Sequence, residues 1–150
     1  MNAYTPLLHL HSTLRYAVLL LLVIAIVKAL AGWLGRKPFT NADNKVGTIL
    51  LAITHTQFLL GVVLYFVSPV VEVALADMGA AMKDANLRFW AVEHLVGMLV
   101  AVVCITVGRI NSKKAKEDVF KHRKAAVWFS VAFAIIIYMI PWAQRGFFSM

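Results

Sequence analysis

Four long apolar stretches constrain this sequence more than any other feature. Within the 150 residues they cover 16–35, 46–67, 89–108 and 125–142. A helix needs roughly 17–25 predominantly apolar residues to cross the hydrocarbon core of a bilayer. It is also a structure that satisfies its own backbone hydrogen bonds in lipid. The sequence therefore predicts four transmembrane helices.

The composition supports this prediction and excludes other classes of protein. Hydrophobic residues make up 61% of the chain and charged residues 15%, whereas soluble domains are about half apolar and about a quarter charged. A single cysteine, Cys104, excludes a disulfide framework and multi-cysteine metal sites. The net charge of +8 does not indicate nucleic-acid binding, because the basic residues are segregated by membrane topology rather than gathered on one face.

The distribution of basic residues orients the helices in the membrane. Of the 15 lysines and arginines, 11 lie at the ends of spans one and three or in the connections that follow them: Lys28, Arg36, Lys37, Lys45, Arg109, Lys113, Lys114, Lys116, Lys121, Arg123 and Lys124. An excess of lysine and arginine marks the cytoplasmic side. Both termini and the loop 68–88 are therefore predicted to lie outside the cytoplasm.

The predicted fold is all-α, an integral membrane up-down-up-down four-helix bundle that forms one domain over 1–150. Its spans are expected at about 7–35, 46–67, 89–108 and 125–142, in the inner (plasma) membrane of the cell. Short connections favour antiparallel neighbours. Residues 71–82 are expected to form a short surface helix, and the charged stretch 113–124 to extend the fourth helix.

Histidines within the apolar spans are the main candidates for function, since ionisable residues are costly in a membrane and usually functional. His94 shares a helix face with small residues, namely Gly97, Ala101, Cys104 and Gly108. Close helix packing explains the small residues without a ligand. Because packing does not explain the histidine, His94 is predicted to ligate a metal.

His9 and His11 point in different directions on the first helix, so only one of them faces the bundle interior. The face of His11 continues through Arg15, Val18, Leu22, Ala25, Ala29 and Gly32, whereas that of His9 is bulky and suited to lipid. We expect His11 to face the interior. An interfacial position in contact with water remains the alternative.

The other histidines receive different expectations. His55 lies within a run of polar residues near the middle of span two and is expected to be a ligand, a proton carrier or part of a hydrogen-bonded structural knot. His122 stands among lysines and arginines and is expected to be solvated. Glu93, beside His94, is expected to relay protons or to pair with a neighbouring arginine.

His11 and His94 are expected to form the axial pair of one haem b. Bundle proteins build cofactor sites from side chains on facing helices, and paired axial histidines are a common way to hold haem iron. Arg15, Arg88 and Arg145 are candidates to bind the propionates. His55 lies roughly 12 Å deeper than His94 and is a poor co-ligand for the same iron. Because span four has no interior histidine, one haem is favoured over two.

Several short motifs carry a resemblance to known proteins: Leu8-His9-Leu10-His11 with Arg15, His55-Thr56-Gln57, Arg88-Phe89-Trp90 with Glu93-His94, Lys121-His122-Arg123, and Pro141-Trp142 with Arg145. In these the chain resembles small four-span cytochrome b-like membrane proteins and, more remotely, four-span protoporphyrinogen oxidases. The resemblance implies haem binding and membrane electron transfer with quinol or a larger respiratory complex. The oxidases place a lysine shortly after their span-three histidine, whereas Leu95, Val96 and Gly97 follow His94 here.

Three alternatives to electron transfer stay open at this point. One is a porphyrin-acting membrane oxidase. Another is a copper- or metal-handling protein, since Met78, Met82 and Met98 offer soft ligands. The third is a non-catalytic packing subunit. The expected partners are the lipid bilayer, a separate redox partner or quinone, and a second copy or a larger complex.

Overall fold

The described part of the chain consists of α-helices and one π-helical turn, with no β-strand. The structure, a computed structural model, describes residues 3–142. In chain order the elements are α1 (Tyr4–Leu34), α2 (Asn41–Val67), α3 (Pro69–Ala76), α4 (Met78–Ala81), α5 (Ala85–Arg88), the π-helical turn Phe89–Glu93, α6 (His94–Lys114) and α7 (Asp118–Met139). The predicted all-α class is confirmed for these residues.

Four helical segments are long and apolar enough to cross a membrane. Three of them are the single helices α1, α2 and α7, and the fourth, Ala85–Lys114, joins α5, the π-helical turn and α6. They coincide with the four predicted spans. The charged stretch 113–124 does extend the fourth helix, but only from Asp118, because α6 runs to Lys114. The expected surface helix in 71–82 is present as α3 and α4.

The four long helices surround a common core. Helix α7 packs against α6 and α1, and α2 packs against α1 and, less extensively, α6. Leu22, Leu50 and Ile105 are fully buried where α1, α2 and α6 meet. Large apolar side chains such as Leu20, Leu59 and Val103 are exposed on the outer faces, as expected of helices that face lipid.

The predicted interior faces of α1 and α6 are confirmed. On α1, Val18, Leu22, Ala25, Ala29 and Gly32 are all buried. On α6 the small residues of the His94 face are buried as well, namely Gly97, Ala101, Cys104 and Gly108. Small side chains let neighbouring helices approach closely, and at Gly108 an added Cβ would lie 2.5 Å from the Cβ of Trp128 on α7.

Helix ends follow local capping chemistry. Thr40 and Asp43 form a reciprocal capping box at the start of α2, in which the Asp43 carboxylate accepts from the Thr40 backbone N–H at 2.8 Å. Pro69 occupies the first turn of α3, where its missing N–H costs nothing. Helix α7 ends at Met139, two residues before Pro141, which cannot continue a helix.

Candidate functional site

A cavity of about 380 Å³ lies between the long helices, at the end of the bundle where α1 begins and α7 ends. We call it the His11–His94 cavity, after the two histidines that line it. Its walls come from the first half of α1, the second half of α2, the first half of α6 and the end of α7, with α3 alongside. The volume falls in the range of small-molecule and cofactor sites.

His11 enters the cavity wall from α1 and is half-buried there, whereas His9 is exposed. The predicted choice between the two histidines is confirmed as to position. The ring lies beside Gly61 of α2, where an added Cβ would be 3.1 Å from His11 Cε1. Gln57, one turn before Gly61, donates a hydrogen bond from Nε2 to the backbone oxygen of His11 at 2.9 Å.

His94 lines the same cavity from the start of α6. Its Nδ1 lies 3.0 Å from the backbone oxygen of Met139. Because a carbonyl oxygen only accepts hydrogen bonds, Nδ1 is the donor, and in the neutral imidazole Nε2 is then the nitrogen with a lone pair. A histidine that ligates a metal through one nitrogen usually donates the other N–H to a carbonyl or carboxylate in this way. The aromatic rings of Phe89 and Trp90 flank the imidazole, with centroids 5.6 and 5.5 Å away.

The end of α7 makes this hydrogen bond available. Pro141 has no N–H to donate to the carbonyl oxygen of Ile137, and the last carbonyl oxygens of any helix lack a donor within the helix. His94 supplies one to Met139, and Trp142 Nε1 supplies another to Ile137 at 2.9 Å. The termination of one helix therefore helps to orient the histidine of its neighbour.

The π-helical turn Phe89–Glu93 leads directly into His94. A π-helical turn leaves carbonyl oxygens without their usual i→i−4 partner and often occurs at functional sites. The hydroxyl of Tyr65 on α2 donates to the backbone oxygen of Ala91, inside this turn, at 3.0 Å. Tyr65 and Trp90 both line the cavity. Sequence reasoning missed the turn and the role of Tyr65, because no residue pattern in this stretch distinguishes a π-helical turn from an α-helix.

The candidate arginines differ in their surroundings. Arg15 lines the cavity, and its guanidinium donates to Tyr16 Oη at 3.1 Å and lies over the Tyr16 ring. No carboxylate of residues 3–142 forms an ion pair with it. Arg88 instead forms an ion pair with Glu93 at 2.7 Å and donates to the backbone oxygen of Met82. Arg145 lies outside the described residues.

Neither Arg88 nor Glu93 lines the cavity. Of the two roles expected for Glu93, the structure shows the ion pair with a neighbouring arginine. Both side chains are more than one-third exposed. Proton relay by Glu93 and propionate binding by Arg88 stay predictions, and the structure does not bring either side chain to the two histidines.

His55 is not brought to the cavity. It lies on the exposed face of α2, where its Nδ1 bonds the backbone oxygen of Leu51 within the same helix at 2.8 Å. Thr56, also exposed, donates to the backbone oxygen of Ala52. The helix turns its neighbours Thr54 and Gln57 toward the cavity instead. Its role as a ligand stays a prediction without support from the cavity.

Thr54 and Gln57 are the members of this polar run that do line the cavity. Thr54 is buried, and its Oγ1 has no hydrogen-bond partner within residues 3–142; the same is true of Gln57 Oε1. Buried polar atoms without a partner are uncommon in folded proteins, and they are available to bind a polar group that enters the cavity. The wall formed by α2 thus offers polar groups beside an otherwise mainly apolar cavity.

His122 was expected to be solvated, and this expectation was wrong. Its side chain is 2% exposed and packs on α1 at Gly32, where an added Cβ would overlap the imidazole. Its Nε2 lies 3.4 Å from the backbone oxygen of Pro38 and its ring packs against Phe39. The residues flanking it, Lys121 and Arg123, are more exposed. His122 is buried because even a helix with many charged residues has one face that packs against the bundle, and His122 lies on that face.

Residues 3–142 contain no group of three or more His, Cys, Asp or Glu side chains that could together hold a metal ion. Of the candidate copper-binding methionines, Met98 lines the cavity with His94. Met78 and Met82 are exposed on α4 and at its end. The structure does not bring the three thioethers together.

Known proteins give no further guidance on this cavity. The chain matches no protein-family model, no curated protein and no solved structure. Its function is therefore inferred from the cavity and from the side chains that line it.

Proposed function

We propose that this protein binds one haem b in the His11–His94 cavity and transfers electrons within a membrane. The observation that carries the proposal is that His11 of α1 and His94 of α6 line a single cavity of about 380 Å³. Axial histidines from two helices of a bundle are a common way to hold haem iron. The resemblance to cytochrome b-like four-span proteins points to the same function.

The residues of the cavity fit this group in three respects. The hydrogen bond from His94 Nδ1 to Met139 leaves Nε2 as the nitrogen suited to ligate a metal. Gly61 lets the His11 ring pack close against α2 at the cavity wall, where an added Cβ would lie 3.1 Å from Cε1. Arg15 lines the cavity without a carboxylate partner among the described residues and suits an anionic propionate.

The side chains of this protein then have distinct roles. Bound haem supplies a one-electron carrier whose potential depends on its axial ligands and their hydrogen bonds. His11 and His94 hold it, Arg15 balances its negative charge, and the apolar walls keep water away. Thr54 and Gln57 add polar groups on the wall of α2.

One haem is favoured over two. A second site would need another pair of histidines around a cavity. His55 lies on an exposed face, and His122 packs against Gly32 beside a cavity of only about 20 Å³. A space of that size holds about one water molecule.

The proposal includes an up-down-up-down bundle in the inner (plasma) membrane with both termini outside the cytoplasm. Contacts between helix ends support the antiparallel arrangement: the start of α6 meets the end of α7 at His94 and Met139, and the end of α1 meets the start of α7 at Gly32 and His122. The electron donor and acceptor are separate partners, for which quinol or a larger respiratory complex is proposed. Assembly with a second copy is also part of the proposal.

An optical spectrum of the purified protein tests the proposal. We expect a Soret band and an α band in the reduced-minus-oxidised spectrum after expression with ample haem. His94→Ala should abolish both bands, whereas His9→Ala, which changes an exposed histidine of α1, should leave them unchanged. A wild-type protein without these bands, or an equal loss in both variants, would contradict haem binding at this site.

A porphyrin-acting oxidase is the second candidate, because the same cavity would accept a porphyrin as a substrate. Turnover separates the two functions. Oxidation of a porphyrinogen by the wild type, lost in His94→Ala, would favour the oxidase, whereas a stable haem spectrum without turnover favours electron transfer. Folding and partner binding that survive removal of His11 and His94 would favour a packing subunit.

A further inference from the structure

Gln57 joins the cavity wall on α2 to the part of α1 that carries His11. Its Nε2 donates to the backbone oxygen of His11 at 2.9 Å, and the side chain is partly buried. Hydrogen bonds between transmembrane helices contribute modestly to helix association. This bond acts on the backbone of the one residue of α1 that the proposed function uses as a ligand.

Gly61 shapes the space of the His11 ring from the same helix face. It lies one turn after Gln57, and residues four apart share a face of a helix. A Cβ at this position would approach His11 Cε1 to 3.1 Å and Nδ1 to 3.7 Å. The first of these distances is tighter than an ordinary van der Waals contact, so any larger residue at position 61 would have to displace or rotate the imidazole.

We infer that Gln57 and Gly61 are positioning residues for His11. Gln57 holds the backbone of α1 at His11, and Gly61 permits the orientation of its imidazole. The inference rests on the proposed function, in which His11 is an axial ligand. Groups that orient a metal-ligating histidine typically change metal affinity or activity 10- to 100-fold when they are removed, and they tune the potential of a haem.

A positioning role for Gln57 and Gly61 differs from simple helix packing in its effect on the spectrum of a bound haem. A hydrogen bond that only joined two helices would change stability without changing the spectrum of a bound haem. A glycine that only allowed close packing would be indifferent to the orientation of a neighbouring imidazole. The relevant measurements are therefore spectroscopic, with stability recorded alongside.

Three variants make the test. Gln57→Leu keeps a similar side-chain volume and removes the donor, and Gly61→Ala adds one methyl group beside His11. Thr56→Val is the matched control, because Thr56 precedes Gln57 on α2, is exposed and bonds only the backbone oxygen of Ala52 within the structure described. Each is compared with wild type by titration with ferric protoporphyrin IX, by the EPR spectrum of the ferric protein, by its midpoint potential and by thermal unfolding.

We expect Gln57→Leu and Gly61→Ala to shift the EPR signal and the midpoint potential and to weaken haem binding about 10-fold or more, while Thr56→Val matches wild type. Complete loss of haem from either folded variant supports the inference as well. If Gln57→Leu does not fold, Gly61→Ala decides. Wild-type spectra, potential and affinity in Gly61→Ala overturn the role of Gly61, and the same result in Gln57→Leu overturns that of Gln57.

Failure of this inference is distinct from failure of the proposed function. If both variants behave like wild type while wild type binds haem and His11→Ala does not, the haem site stands and the positioning role falls. If wild type binds no haem, the proposed function falls and the positioning role falls with it.

Discussion

Arg15 and Arg88 carry the same charge, but their neighbours give them different roles. Arg88 already has a carboxylate at 2.7 Å in Glu93. Arg15 contacts only the hydroxyl and ring of Tyr16 in the interactions that the structure resolves. A cation that lines a cavity without an anionic partner is a candidate to bind an anionic ligand. The sequence predicts both arginines near the same end of the bundle, but it does not show which of them has a carboxylate partner.

Replacing Arg15 with glutamine should weaken haem binding and leave the helices intact. Hydrogen bonds to charged groups are worth about 1.5–3 kcal/mol, so we expect the haem dissociation constant to rise roughly 10- to 100-fold in a titration. Arg88→Gln is the control, since it breaks an exposed ion pair worth at most about 1 kcal/mol. Equal affinities in the two variants would contradict the assignment of Arg15 to the propionates.

His122, whose burial contradicts the expectation from the sequence, and His55 show what decides the environment of a residue. His122 has charged neighbours in the chain but lies against Gly32 of another helix. His55 has polar neighbours at mid-span but faces outward. In both cases the deciding contact, or its absence, comes from a helix remote in sequence.

At the scale of elements, α1 and α7 approach each other through Gly32 and His122. An added Cβ at Gly32 would overlap the imidazole ring, which is itself fully enclosed. The same principle holds between α6 and α7, where Gly97 faces Met139 and Gly108 faces Trp128. Glycines on these helices provide space for larger side chains opposite.

Gly32→Ala should therefore destabilise the bundle. Overpacking costs about 1–3 kcal/mol, and the higher helix propensity of alanine offsets up to about 1 kcal/mol of it. We expect a lower midpoint of thermal unfolding in detergent. Gly79→Ala, on an exposed part of α4, should have little effect.

A double variant identifies the contact responsible. Removing the ring in His122→Ala should relieve the overlap, so that Gly32→Ala costs less in that background than in wild type. Additive losses would show that Gly32 acts through a different neighbour.

At the scale of the whole molecule, most of the basic residues and the cavity lie toward opposite ends of the bundle. The cavity is near the start of α1 and the end of α7, whereas the basic connections lie at the end of α1 and between α6 and α7. If the basic end is cytoplasmic, the cavity lies in the outer half of the membrane. Electrons would then exchange with a partner near the outer surface or within that leaflet.

Labelling of single cysteines tests this orientation. In a Cys104→Ala background, Gly79→Cys on the loop side of the cavity should react with a membrane-impermeant maleimide on intact cells. Lys116→Cys, between α6 and α7, should react only after lysis. Both positions are exposed, so lack of reaction reflects the side of the membrane. The reverse pattern would place both termini in the cytoplasm.

Much of the architecture was determined by the sequence alone. The number and approximate limits of the spans follow from the length of the apolar stretches, because the bilayer sets that length. The buried faces of α1 and α6, and the choice of His11 over His9, follow from the fixed angle between successive residues on a helix. These properties depend only on local geometry and on the solvent that each helix meets.

Other features were decided only by the tertiary structure. One example is the π-helical turn before His94, which accepts a hydrogen bond from Tyr65 of another helix. The bond from His94 to Met139, and the contacts of His11 with Gln57 and Gly61, also join residues that are distant in the chain. The burial of His122 and the exposure of His55 belong with them. The sequence indicates the histidines as candidates because ionisable side chains are rare in lipid. Which of them share a cavity depends on how each of the four helices is rotated about its axis. Packing between residues distant in the chain decides that rotation.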